Sequence, residues 1–311
     1  ATKPKDDASY DLAPPRSFKR RTTAESVEEP WFLPLDDAFK RTFQVQAKLS
    51  DRNFSQVYRG EWEAEDLPQL GKVKAIAKVF LYPKGKAGEK ATMEKEREKF
   101  QQDSQILTAL NIKTNHQYVV HYFDKSTRAV SNGLECTLIM KACECDLKKY
   151  IDNLNASVEN DEDAIPLSQS PNLIRMVRDL IRAYTALHAD DAKICHRDVK
   201  PVNILIDFDE TDLEKQTPRI KLCDFGESRM FKPLEQTNMN TVVGTVDTTG
   251  CWYAPETING VRYGRNADLW PLGCLLHYMG TDGKFPLFLS VPPVHEGGNE
   301  TAGDQLPGTV G

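Results

Sequence analysis

His196-Arg197-Asp198-Val199-Lys200-Pro201-Val202-Asn203 places an acid, a base and a carboxamide in one short loop, and Ile204-Leu205-Ile206 carries it into an apolar strand. A phosphoryl-transfer site needs this kind of set. Twenty-six positions after Asp198 stands Leu222-Cys223-Asp224-Phe225-Gly226, a second carboxylate at a strand end followed by a glycine that permits a sharp turn. Ala254-Pro255-Glu256 and Asp268-Leu269-Trp270-Pro271-Leu272-Gly273 come later. Each stretch alone is weak evidence. Their order and spacing together are not a chance pattern.

The surrounding chain is ordinary globular material. It has 311 residues, 40% hydrophobic and 28% charged, which is enough for a substantial core and too apolar for wholesale disorder. A formal net charge of -6 lacks the basic excess that general nucleic-acid binding requires, so no nucleic-acid partner is expected. Seven cysteines without zinc-ligand spacing read as reduced, mostly buried thiols, and a cytoplasmic location is expected. No apolar run approaches the roughly 20 residues of a membrane helix, so no membrane segment is expected in this chain.

Residues 1–30 mix charges, Pro, Ser and Thr without periodicity and are expected to form a disordered arm. Phe43 to Leu49 and Val57 to Trp62 alternate at the strand period and predict a hairpin, with a third strand at Val73 to Leu81. Lys90 to Leu110 sets Glu96, Phe100, Asp103, Leu107 and Leu110 on one helical stripe, and Tyr118 to Phe123 and Leu134 to Met140 predict two more strands. From Cys143 the texture turns helical. Asn153 to Ser170 reads as a polar surface insertion, its Asn155 sequon a chance match, and a helix follows with Leu173, Ile174, Val177, Leu180, Ile181, Tyr184 and Leu187 on its inner face. Residues 286–311, rich in Gly and Pro, are expected to form a disordered tail.

These motifs resemble those of the eukaryotic protein kinases, with matching residues from about 45 to about 280. The resemblance implies an α+β, two-lobed fold: a β-rich small lobe with one helix over residues 31–142 and a mostly helical large lobe over 143–285. It implies that Asp198 accepts the proton of the attacking hydroxyl, that Asn203 and Asp224 hold Mg2+ against ATP, and that Lys200 neutralises the transferred group. Lys200 with Pro201 resembles the serine/threonine-specific loop, so protein Ser/Thr hydroxyls are the expected substrates. Thr249 matches the position that supports Asp198 and Lys200. In Ala75-Ile76-Ala77-Lys78, Lys78 matches the lysine of the α- and β-phosphates. Its helix partner is Asp103 by the register of Ile106-Leu107, with Glu96 the alternative. Val57 would cover the adenine, Met140 guard the back of its pocket and Cys143 stand at the lobe connection. Cys223 reads as a packing thiol rather than a reactive one.

The chain also departs from the family pattern. Leu49-Ser50-Asp51-Arg52-Asn53-Phe54-Ser55-Gln56-Val57 has Ser50, Arg52 and Ser55 where glycines would let backbone N–H groups approach phosphate. Ile76 adds bulk where Ala is usual, and Lys141 replaces an acidic residue. No Arg follows Arg265 to pair with Glu256, which implies an incomplete large lobe and a regulatory partner covering it. The Gly-poor loop, Asp103 in place of a glutamate and the short C-terminus favour the alternative of a pseudokinase, a binding module with weak or no phosphotransfer. Lys141 to Tyr150 resembles the inositol-requiring kinase/endonucleases, whereas Asp224 to Arg229 resembles the tyrosine-kinase-like serine/threonine group. Arg197 implies a phosphate switch on the segment after Asp224, at Thr241 or Thr245 among Ser228, Thr237, Thr241, Thr245, Thr248 and Thr249.

Overall fold

A computed structural model describes residues 25–33, 35, 41–52, 55–65, 67–83, 90–114, 117–131, 133–208, 217–230, 252–258 and 265–285. Thr237, Thr241, Thr245, Thr248 and Thr249, the stretch 1–24 and the expected tail 286–311 lie outside these residues.

The small lobe is a six-stranded antiparallel sheet built from β1 (Glu25–Leu33), β2 (Arg41–Arg52), β3 (Ser55–Ala64), β4 (Val73–Pro83), β5 (Tyr122–Val130) and β6 (Gly133–Lys141), in the order β1-β2-β3-β4-β6-β5. Alternation assigns its faces. Tyr58, Trp62, Ala75, Ala77 and Val79 point to one side and close a core with Phe43, Val45 and Ile139. Ile76, Phe80 and Tyr82 belong instead to the core beneath, where helix α1 (Lys90–Thr114) lays down Phe100, Ile106, Leu107 and Leu110. Gly60 faces a bulge in β2, and a Cβ there would lie 2.0 Å from the Gln44 carbonyl oxygen, so only glycine fits.

The large lobe follows with β7 (Cys145–Asp146), α2 (Leu147–Asn160), α3 (Asn172–His188), β8 (Ile194–Cys195), β9 (Ile204–Phe208), β10 (Pro218–Leu222), β11 (Arg229–Met230), α4 (Pro255–Ile258) and α5 (Leu269–Gly280). Its strands form two small sheets, β10-β9-β7 and β11-β8. Asp146 caps α2 by accepting from the Lys149 N–H at 2.9 Å. One apolar cluster runs from α1 through Leu180, Leu187, Ile204 and Leu222 to Leu275 and Met279 of α5. The lobes are also stitched by backbone, since Val120 N–H donates to Leu222 O and Leu222 N–H to Tyr118 O, both at 2.9 Å.

Four sequence expectations need correction. Strand β1 begins at Glu25, inside the stretch 1–30 read as an arm, because an edge strand needs only backbone pairing and polar residues supply that as well as apolar ones. Helix α2 extends to Asn160, into the stretch read as an insertion; its polar composition marks a solvent-facing helix, and Asn155 donates to Asp282 O at 2.9 Å. The strand expected at Tyr118 to Phe123 starts at Tyr122, since Val119 and Val120 are apolar as the bridge to Leu222, not as a sheet face. In α3 the buried stripe is Met176, Leu180, Ala183, Tyr184 and Leu187, while Ile174 is 63% exposed and Ile181 also faces solvent.

Candidate active site

Asp198 is fixed by its own loop. Lys200 Nζ stands 2.9 Å from its Oδ1, and Asn203 Nδ2 donates to its Oδ2 at 2.8 Å and to its backbone carbonyl at 2.7 Å. With that amide spent on Asp198, Asn203 keeps its carboxamide oxygen as an acceptor. The loop hangs from Asp268, 1% exposed, whose carboxylate accepts from His196 N–H at 2.7 Å and Arg197 N–H at 2.9 Å and lies 2.9 Å from His188 Nε2. Burial works against ionisation of Asp268, but the bond to the His188 ring, the nearby His196 ring and the two N–H groups outweigh it and hold its pKa below the ordinary carboxylate value.

Asp224 reaches the same place from the end of β10. Cys223 N–H donates to Asn203 O at 3.1 Å, and His196 Nε2 lies 3.2 Å from Cys223 O. Asp224 itself is left-handed, with φ 63°, a conformation that costs an L-residue roughly 1–2 kcal/mol and persists only where its surroundings fix it. The turn aims its Oδ1 at Lys78 Nζ, 2.8 Å away. Phe225 then buries completely against the His196 ring, centroids 4.9 Å apart.

Lys78 lies in β4 opposite Val57 of β3 and Leu138 of β6. Its second partner is Asp103, 1% exposed, with Oδ2 at 3.3 Å; the Asp103 Oδ1 accepts from Phe225 N–H at 3.1 Å. The shorter side chain thus reaches both the strand lysine and the Asp224 turn. The side chain of Glu96 lies outside the described residues. Burial would lower the Lys78 ammonium, but the carboxylates of Asp224 and Asp103 more than offset that and its pKa stands above the usual lysine value. The Lys78 charge brings Asp224 down to about 2, whereas burial pushes Asp103 up despite the ammonium beside it.

Val57, Ile76, Met140 and Cys143, the residues expected around a base, lie on β3, β4, β6 and the segment after β6. Ile76 pairs across the ladder with Met140, and Met140 is buried. Ala142 N–H donates to Lys74 O and Glu144 N–H to Ile206 O, each at 3.0 Å, which pins the lobe connection on both sides of Cys143. Lys141, in place of an acid, pairs with Asp207 at 3.0 Å. In the hairpin expected to cover phosphate, β2 and β3 stay paired to Arg52 and Ser55 after a register shift between Lys48 and Ser50, with Ser50 opposite Val57. Asp51 there binds Lys48 and accepts from Gln56 Nε2 at 3.2 Å, and the Lys48 bond keeps its pKa low. The side chains of Arg52 and Phe54 lie outside the described residues.

Among the described residues no group of three or more His, Cys, Asp or Glu gathers to hold a metal unaided. One carboxylate from Asp224 and one carboxamide oxygen from Asn203 are hard donors, too few for an all-protein cage and suited to Mg2+ that completes its shell with phosphate oxygens and water. Sequence reasoning quoted Asp268 without giving it a role. It also passed over Asn111, which donates to Leu107 O at 2.8 Å and Val120 O at 3.1 Å, accepts from Tyr122 N–H at 3.1 Å and so anchors α1.

A two-lobed fold in which one lysine meets two carboxylates beside a fixed carboxylate loop is the arrangement of the protein kinase fold. The protein kinase domain model matches residues 77–290, well over half of the chain, and the chain belongs to that family. It is similar to the probable serine/threonine-protein kinase nek2 of Dictyostelium discoideum, 30% identical over 181 residues that cover 57% of this chain and 38% of that protein. The cyclin-dependent kinase 4 homolog of Caenorhabditis elegans is 31% identical over 159 residues, 51% of this chain and 32% of the relative. The serine/threonine-protein kinase/endoribonuclease IRE1 of rice, Oryza sativa subsp. japonica, is 37% identical over 128 residues, 40% of this chain and 12% of that protein. The chain therefore spans well under half the length of these relatives.

Proposed function

We propose that this chain transfers the γ-phosphoryl group of ATP, in the presence of Mg2+, to Ser or Thr hydroxyls of protein substrates. The observation that carries the reading is the joining of two carboxylate systems, Asp198 with Lys200 and Asn203, and Asp224 with Lys78 and Asp103, through the Cys223–Asn203 backbone bond. Asp198 takes the hydroxyl proton as the oxygen attacks phosphorus, and the bond to the departing ADP breaks. Lys200, beside Asp198, offsets charge on the group in transit. Lys78 holds the earlier phosphates, and Asp224 with Asn203 would hold Mg2+, which screens phosphate charge when bound. The Lys200-Pro201 pair and the serine/threonine kinases among the relatives support hydroxyls of Ser and Thr as acceptors. Cys136, Cys143, Cys145, Cys195, Cys223 and Cys274 stand outside any disulfide, which supports a reducing location such as the cytoplasm.

The pseudokinase reading has one observation of its own: the cradle over the phosphates is a paired hairpin with Ser50 and Ser55 in its ladder and the carboxylate of Asp51 at its end. Incubation with labelled ATP, Mg2+ and a Ser/Thr peptide library, followed by phosphoamino-acid analysis, separates the two. Label on peptide serine or threonine supports the enzyme; nucleotide binding without transfer supports the pseudokinase.

A further inference from the structure

We propose that Lys99 and Gln102 are positioning residues that lock α1 to the turn after Asp224, a role that rests on the phosphotransfer reading above. Lys99, Gln102 and Asp103 are spaced three and four apart, so they share one helical face. That face meets four successive residues. Asp103 accepts from Phe225 N–H at 3.1 Å, Gln102 Nε2 donates to Gly226 O at 3.3 Å and also to Ser228 O, and Lys99 Nζ lies 2.7 Å from Glu227 Oε1. A Cβ added at Gly226 would sit 3.6 Å from Lys99 Cβ, an ordinary contact distance, so helix and turn run side by side there with room for little more than that one carbon.

The far side of the same turn is held by the catalytic loop. The buried Ser228 hydroxyl donates to His196 O at 3.0 Å, and Arg229–Met230 pairs with Ile194–Cys195. Residues 225–230 are therefore clamped between α1 and the strand leading to Asp198. Two features call for this clamp. Asp224 is left-handed and must be held so by its neighbours. Asp103, with its short side chain, stands 3.3 Å from Lys78, the longer of the two lysine contacts, and ties α1 to β4 less closely than Asp224 ties the turn. Lys99 and Gln102 add the grip that the Asp103 contact leaves short, and they pass it to the residue that would bind metal.

The test uses the full chain with Lys99→Glu, Glu227→Lys, the double swap and Gln102→Ala. Lys113→Glu, at the other end of α1 where Lys113 pairs with Asp191, is the control for charge reversal on the same helix. Hydrogen exchange at residues 225–230 is read beside kcat, peptide KM and the Mg2+ concentration for half-maximal rate. We expect each single swap and Gln102→Ala to speed exchange there and to cut kcat about tenfold, the double swap to recover most of both, and Lys113→Glu to change neither. The half-saturating Mg2+ should rise while peptide KM stays put, which a general loss of stability would not produce. Wild-type exchange in the single variants, or a double swap as impaired as either parent, overturns the proposal. If the wild-type chain transfers no phosphate, the activity reading fails and the exchange measurement alone decides the clamp.

Discussion

Lys78 holds Asp224 more closely than it holds its helix partner: Nζ to Asp224 Oδ1 is 2.8 Å, against 3.3 Å to Asp103. One ammonium thus serves two carboxylates of opposite electrostatic fate, Asp224 kept ionised and Asp103 pushed toward its proton by burial.

Removing the cation should expose that imbalance. Lys78→Met leaves Asp103 buried without a counter-charge, a loss of about 3 kcal/mol at neutral pH by the measure of broken buried pairs. Asp103 then binds a proton with a folded pKa above its unfolded one. Its protonated form supports the fold at low pH, and that support is lost as pH rises through the folded pKa. Urea unfolding at pH 5 and pH 8 checks this: the penalty relative to wild type should be smaller at pH 5.

Asp268 should behave in the opposite sense. Its folded pKa is depressed, so its contribution is present above the unfolded value of about 4 and is lost as pH falls through the folded one. Asp268→Ala leaves the His196 and Arg197 N–H groups without their acceptor, at about 1–3 kcal/mol each. Asp268→Asn should cost less and flatten the acid limb of the stability curve. Thermal unfolding from pH 3 to pH 7 compares the three proteins, and equal acid sensitivity in the Asn variant would count against the assignment.

ATP should bind weakly for a kinase, in the range of tens of micromolar or above, since strand pairing and side chains occupy the place of a glycine cradle. Asp51→Asn removes a carboxylate from that hairpin and should tighten ATP about threefold at low salt and less at high salt. Calorimetry on the two proteins gives both numbers. Submicromolar binding by the wild type would mean that Arg52 and the serine hydroxyls replace the glycines.

The thiols around the cleft should be inert. Burial pushes Cys143 and Cys145 up to about 12 and Cys223 well above its ordinary value, so thiolate is scarce at neutral pH. Alkylation of native protein at pH 7.5 followed by peptide mapping should leave all three unlabelled until denaturant is added.

What the sequence disclosed depended on whether chemistry or packing chose the residue. Asp198, Asn203 and Asp224 could be brought together because their types and spacing follow a motif, and the strand period exposed the hairpin around Val57. Asp103 could be placed by helical register from Ile106-Leu107. Strand β1 was hidden because backbone pairing leaves no mark on Glu25 to Glu29, and α2 because its outer face is polar. Ile174 and Ile181 misled the reading of α3, since a single apolar side chain faces solvent at small cost. Lys99 and Gln102 gave no signal at all: their partners are a side chain and carbonyls more than a hundred residues away.

Asp224→Asn takes charge from the Lys78 contact and the proposed metal site while keeping the side chain's shape. Transfer of labelled γ-phosphate from ATP with Mg2+ should be measured for this variant and wild type, with circular dichroism to verify the fold. The prediction is a folded variant whose rate falls by several powers of ten, on the order of 10³ or more. A folded variant as fast as wild type would contradict it.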